Sequence, residues 1–208
     1  LILEKKYNIE DDKSQFNWNK TDKINLAFLS ADFKTHSVSH FLIDLLRKID
    51  KSKFNIYLIS NLKTVEQDNV SQELKKIVYK WLDVYDFSDD DLTSSLRLLK
   101  LDILIDLSGF TNGNRFEVLI RRCAKVQIEW LGYNNSLGAK NIDYLISDKN
   151  LIKSNEINSY KEEILFMPNI WNALSPPKKL PEIMDLNKKN SDFVFCSFNN
   201  FQKISDRT

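Results

Sequence analysis

Cysteine, glycine, proline and histidine are all scarce in this 208-residue chain, and each scarcity excludes something. The two cysteines, Cys123 and Cys196, have no CxxC partner and no surrounding His/Cys cluster, so neither a disulfide framework nor a structural zinc site is expected. A reducing, cytoplasmic compartment is the simplest expectation. Only four glycines occur, and they form neither GxGxxG nor GxxxxGK[ST]. The two common phosphate-loop fingerprints are therefore missing, which disfavours an NAD-dependent dehydrogenase or a P-loop enzyme. No apolar run approaches the roughly 18 residues needed to cross a bilayer. The opening LILEKKYNIEDD lacks the basic start, apolar core and cleavage site of a signal peptide. No charge of one sign predominates: Lys plus Arg is 30 and Asp plus Glu is 29. A nucleic-acid or acidic-membrane partner would call for a strong basic excess, so neither is expected. The chain starts without Met, which suggests a piece of something longer.

Apolar material is ample. Hydrophobic residues make up 42%, with 13 Phe and 4 Trp, enough for a packed core. Short apolar runs at Ile24–Ser30, Phe54–Ser60, Leu101–Leu107 and Val126–Leu131 read as buried strands. Shorter strands are expected at Val84–Phe87, Ile142–Ser147 and Ile164–Met167, and Phe193–Phe198 starts another. Helical spacing is found over Ser39–Lys48, with Ser39 as N-cap, and over Val70–Trp81, Asp90–Leu99 and Arg115–Arg122. Strands alternating with helices imply an α/β fold, a mostly parallel Rossmann-like sheet with helices on both faces. Residues 1–22 read as a lead-in and 23–172 as the main domain. Residues 173–191, with three prolines, read as a linker, and 192–208 as the start of a second domain.

In such a sheet, ligands bind beyond the carboxyl ends of the strands. Three unusual segments follow predicted strands: 32–40 with both histidines, 109–113, and 132–138. All four glycines lie in the last two. Parallel strands would bring these loops to one rim. His36 precedes a helix and could take a proton from an attacking hydroxyl or bind sugar oxygens. Taken by itself, without further context, a surface or capping histidine is the favoured reading. His40 has i, i+4 spacing to it, but no third metal ligand is evident, so no metal site is expected. The glycine loops by themselves are also consistent with ordinary tight turns. Lys203, after a strand and polar turn at a helix start, fits an anion site or a solvated lysine.

Five ordered strings resemble one family. They are LSADFKTHSVSHFL at 29–42, LDILIDLSGFTNGNR at 101–115, KVQIEWLGYNNSLGAKNIDYLISD at 125–148, EEILFMPNIWNALSPP at 162–177 and FCSFNNFQKIS at 195–205. Together they resemble the O-linked N-acetylglucosamine transferases, family 41 glycosyltransferases that include bacterial SPINDLY-like proteins. The resemblance implies the first half of a two-domain GT-B fold with its active site in the cleft. It also implies inverting transfer of N-acetylglucosamine from UDP-N-acetylglucosamine to Ser or Thr hydroxyls of proteins, with no further cofactor. By position His36 matches the family histidine near the reacting centre. Leu131, Gly132 and Asn134 fall in the loop contacting the sugar. Asn200 and Lys203 match residues holding the uridine diphosphate. The expected partners are the donor, an acceptor protein, the rest of the C-terminal catalytic domain and upstream tetratricopeptide repeats.

Departures from the family pattern keep rivals open. The usual GYPG turn reads Gly132-Tyr133-Asn134-Asn135, Phe110 replaces a frequent His, and Asp102 stands where animal members have a donor-site histidine. Transfer of another sugar, fucose or glucose, or a non-enzymatic interaction module of the same ancestry, are the alternatives. As a fragment alone the chain is expected to be inactive.

Overall fold

The computed structural model describes residues 16–18 and 22–174, with Glu182 and Cys196. The strand runs at INLAFLS, FNIYLIS and LDILID are apolar on both faces, which is the pattern of a parallel sheet covered on both sides. Among the described residues the strands are β1 (Ile24–Ser30), β2 (Phe54–Ser60), β3 (Lys80–Asp83), β4 (Leu101–Asp106), β5 (Ala124–Glu129), β6 (Tyr144–Ser147) and β7 (Glu163–Phe166). They form one sheet in the order β3-β2-β1-β4-β5-β6-β7, and every pairing is parallel. This is the doubly wound Rossmann-like order, with its topological switch point between β1 and β4.

Among the described residues four α-helices cover the two faces: α1 (Ser37–Lys48), α2 (Asn69–Ile77), α3 (Asp89–Leu98) and α4 (Phe116–Leu119). Leu42 and Leu46 of α1 and Leu74 of α2 pack with Leu26, Phe28 and Leu58 on one face. Leu92 and Leu96 of α3 and Val118 and Leu119 of α4 pack with Ala27, Leu29 and Leu104 on the other. Two cores thus sandwich the sheet, as the alternating side-chain directions of a strand require.

Several boundaries differ from the sequence expectation. The N-cap of α1 is His36 rather than Ser39: the imidazole Nδ1 accepts from Val38 N–H at 3.3 Å. Ser39 lies buried inside the helix and donates to Asp32 O at 2.8 Å. The helix expected over Val70–Trp81 stops at Ile77, because Val78 turns extended and Trp81 pairs with Leu58 as part of β3. The strand expected at Val84–Phe87 is therefore β3 itself, four residues earlier. Periodicity still identified the right face, since Val70, Leu74, Ile77, Val78 and Trp81 all join one core. The helix expected over Arg115–Arg122 shortens to α4, where Arg122 takes φ 52° to bury its guanidinium. That guanidinium bonds both oxygens of Asp143 at 2.9 and 2.8 Å. The expected strand Phe193–Phe198, and nearly all of the proposed linker and second-domain start, lie outside the described residues.

Candidate active-site cavity

A cavity of about 550 Å³ opens at the carboxyl ends of β1, β2, β4 and β5. It straddles the switch point, where the chain leaves β1 toward one face and β4 toward the other. Each loop that rims it has a physical anchor.

The first loop carries His36. Asp68, the N-cap of α2, accepts from Val70 and Ser71 N–H within its own helix and from Thr35 N–H at 2.7 Å. Ser71 Oγ donates to Phe33 O at 2.6 Å. The α2 terminus is thereby tied to the segment next to His36. The hydrogen bond from the Thr35 hydroxyl, with those from backbone N–H groups, holds the Asp68 carboxyl down at about 2. His36 lies on the cavity rim, with its Nδ1 3.8 Å from Asp32 Oδ2. His40 is exposed one turn along α1. Among the described residues no set of three or more His, Cys, Asp or Glu side chains converges as a metal site.

The loop after β5 supplies Leu131 and Gly132. Leu131 has φ 81°, and Gly132 N–H donates to Trp130 O at 3.1 Å. This is a γ-turn about a non-glycine residue, a strained form. Gly132 passes so close to β4 that a Cβ there would lie 1.9 Å from Leu107 O. Both residues line the cavity. Asn134 is exposed on the same loop and is not part of the cavity wall. Asn200 and Lys203 lie outside the described residues. Asp102 sits at the opposite end of the sheet, where it accepts from Asn25 N–H at 2.9 Å and pairs with Lys125 at 3.0 Å. Phe110 is half exposed and packs its ring on Phe116 and Tyr133.

The loop after β4 contributes Thr111, Asn112 and Gly113. Asn61, directly after β2, donates to Gly113 O at 2.8 Å and accepts from Arg115 Nε at 3.0 Å. Arg115 also bonds Asp89, Val84 O and Tyr85 O, so one guanidinium gathers three loops of the rim. Lys34 and Glu66, an ion pair at 2.7 Å, both line the wall, and Lys63 lies on it as well. Asn61, Lys63, Tyr85 and Arg115 were not singled out from the sequence. The strand-end rule would have reached Asn61 and Lys63, because both follow β2. Nothing local in the sequence marks Arg115.

Residues 1–176 match the family described as glycosyl transferase family 41. This chain belongs to that family. It is 30% identical over 187 residues to the Solanum lycopersicum protein named "Probable UDP-N-acetylglucosamine--peptide N-acetylglucosaminyltransferase SPINDLY", an overlap covering 88% of this chain and 20% of that protein. It is 31% identical over the same length to the Oryza sativa protein of that name, again with 88% and 20% covered. The fold is similar to that of a mutant O-GlcNAc transferase from Thermobaculum terrenum, with TM-score 0.74 and 26% identity, covering 84% of this chain and 32% of that one. The family 41 chain thus spans about a fifth of the length of these curated relatives and about a third of that solved chain. No described helix is long and apolar enough to cross a membrane.

Proposed function

We propose that this chain is the first half of the catalytic region of a glycosyltransferase that moves N-acetylglucosamine from UDP-N-acetylglucosamine to a Ser or Thr hydroxyl of an acceptor protein. The observation that carries the reading is the polar cavity at the switch point of a family 41 sheet, with His36 on its rim. Its volume lies within the range of small-ligand sites.

In the proposed reaction the acceptor hydroxyl oxygen attacks the anomeric carbon. The bond from that carbon to the diphosphate oxygen breaks on the opposite face, UDP leaves, and the hydroxyl proton passes to a base. We assign that base to His36. Its Nδ1 has two neighbours that demand opposite tautomers. Accepting from Val38 N–H leaves the proton on Nε2, so the ring donates to a substrate oxygen. Turning Nδ1–H toward Asp32 Oδ2 frees Nε2 to take the proton, with Asp32 stabilising the imidazolium that forms. Gly132 and Leu131 supply close backbone approach to the sugar, and Asn134 belongs to the same loop. Asn200 and Lys203 hold the UDP, and Lys203 neutralises charge on the departing diphosphate. The division into a domain at 23–172, a linker at 173–191 and a second domain from 192 is part of the same proposal. So are upstream tetratricopeptide repeats, a cytoplasmic location and the need for no cofactor beyond the donor.

The test is calorimetric titration of UDP and UDP-N-acetylglucosamine into this chain and into a longer form carrying a complete second domain. Binding to the longer form alone is the expected result. Preference for a fucose or glucose nucleotide would change the donor, and no binding to either form would replace the enzyme with an interaction module. In the longer form, His36→Ala is expected to lower turnover about 100-fold or more while the fold remains. Unchanged turnover would remove His36 from the mechanism.

A further inference from the structure

Two acids that the proposed reaction does not use lie beneath the glycine loops. Asp106 ends β4, Glu129 ends β5, and the two are partners in the parallel register. Neighbouring strands run about 4.8 Å apart, so the two side chains leave the same face side by side. Asp106 is 1% exposed and Glu129 0%. Asp106 Oδ1 and both Glu129 carboxyl oxygens are buried without a hydrogen-bond partner, while Gly109 N–H donates to Asp106 Oδ2 at 2.7 Å. Two ionised carboxylates buried side by side with so few donors would repel each other and lack compensation for lost solvation, which favours one of them being protonated.

The surroundings keep that proton in place. Burial and the neighbouring negative charges of Asp106 and Glu162 raise the Glu129 carboxyl. Glu162, from the segment before β7, is 4% exposed and accepts from Leu137 N–H, Gly138 N–H and Ser136 Oγ, which anchors the far end of the loop after β5. Tyr133 of that loop packs over Gly109. A Cβ at Gly109 would lie 2.3 Å from Tyr133 Cβ and 2.9 Å from Glu129 Oε1. The acid pair therefore lies under the contact between the two loops that supply Thr111, Gly113, Leu131 and Gly132 to the cavity wall.

We propose that Asp106 and Glu129 share a single proton at neutral pH and act as a latch joining the loops at 108–113 and 131–138. While the proton is held, the pair is a neutral donor to a charged acceptor and the loops close over it. When it leaves, two like charges in a closed space push apart and the cavity wall loosens. Burial raises both acids, Asp106 to about 6 and Glu129 well above the usual range, with the Asp106 charge adding to the effect on Glu129. The inference rests on the fold alone, so it stands or falls independently of the proposed transferase activity.

The test uses the whole 208-residue chain and its Glu129→Gln and Asp106→Asn variants. An amide donates without needing a proton, so either variant keeps the contact but removes its pH dependence. Amide hydrogen exchange, corrected for its intrinsic pH dependence, is measured for the two loops between pH 5 and pH 9. Loop protection in the wild type is expected to fall at least tenfold toward the alkaline end, and in E129Q to stay level. Equal pH responses in wild type and E129Q, or none in the wild type, would overturn the latch. If E129Q does not fold, D106N is read the same way. The wild type alone also decides it by infrared spectroscopy at pH 7: a buried protonated-carboxyl band is expected, and its absence refutes the shared proton.

Discussion

Leu131 and Gly132 solve a packing problem that no other pair of adjacent residues in the loop faces. The chain must reverse within one residue of β5 and pass against β4. Leu131 accepts φ 81° because its side chain is buried, and the strain of about 1–3 kcal/mol is offset by that burial. Gly132 is needed because the Leu107 carbonyl occupies the place of its Cβ. Leu107 cannot yield readily, since its own N–H is bonded to Leu29 O in the sheet. Gly132→Ala is therefore expected to cost about 3 kcal/mol or more, read as a thermal midpoint lowered by roughly 10 °C. A midpoint within a degree of wild type would contradict the close approach. At His36 the residue scale separates two roles. Asn also caps helices, so His36→Asn should keep the stability that His36→Ala loses, about 1 kcal/mol, while both lose any proton-transfer role.

At the scale of elements, helix ends build the site. The first turn of α2 does little for the cavity directly, yet its capping residue Asp68 reaches Thr35 beside His36. Asp68→Ala is expected to cost about 1–2 kcal/mol at pH 7. Its carboxyl is depressed in the native state, to about 2. Its contribution is thus present above the ordinary carboxylate range and is lost as the pH falls from about 4 toward 2. Paired thermal scans should show wild type and variant converging over that window. Arg122 illustrates the cost of a buried ion at the same scale. Its guanidinium and Asp143 are both largely buried, and the helix before it gives up its last turn to place them. Sequence periodicity could not foresee that break, because an arginine ordinarily marks a solvated face.

For the whole molecule, carboxylates pull the pH response in two directions. Hydrogen bonds and nearby cations lower Asp50, Glu66 and Asp68, which favours the native state above about pH 4. Burial raises Asp106 and Glu129, which bind a proton more tightly when folded. Their effect has the opposite sign: stability falls as the pH rises from about 4 through about 6 for Asp106, and falls further at higher pH as Glu129 loses its proton. The thermal midpoint is accordingly expected to peak on the acid side of neutrality, and a peak above pH 8 would contradict these assignments. The fold class, the parallel strands, the apolar face of α2 and the rim loops holding His36 and Gly132 were legible from short apolar runs, helical spacing and strand-end loops, whereas Leu131 was named only by the family resemblance. Those signals are local and follow from backbone periodicity. The order of the strands, the end of α2 at Ile77, the gathering of loops by Arg115 and the pairing of Asp106 with Glu129 join residues distant in sequence. Only the tertiary structure decided them, because burial and register, rather than any local pattern, set which groups must share a proton, a carbonyl or a charge.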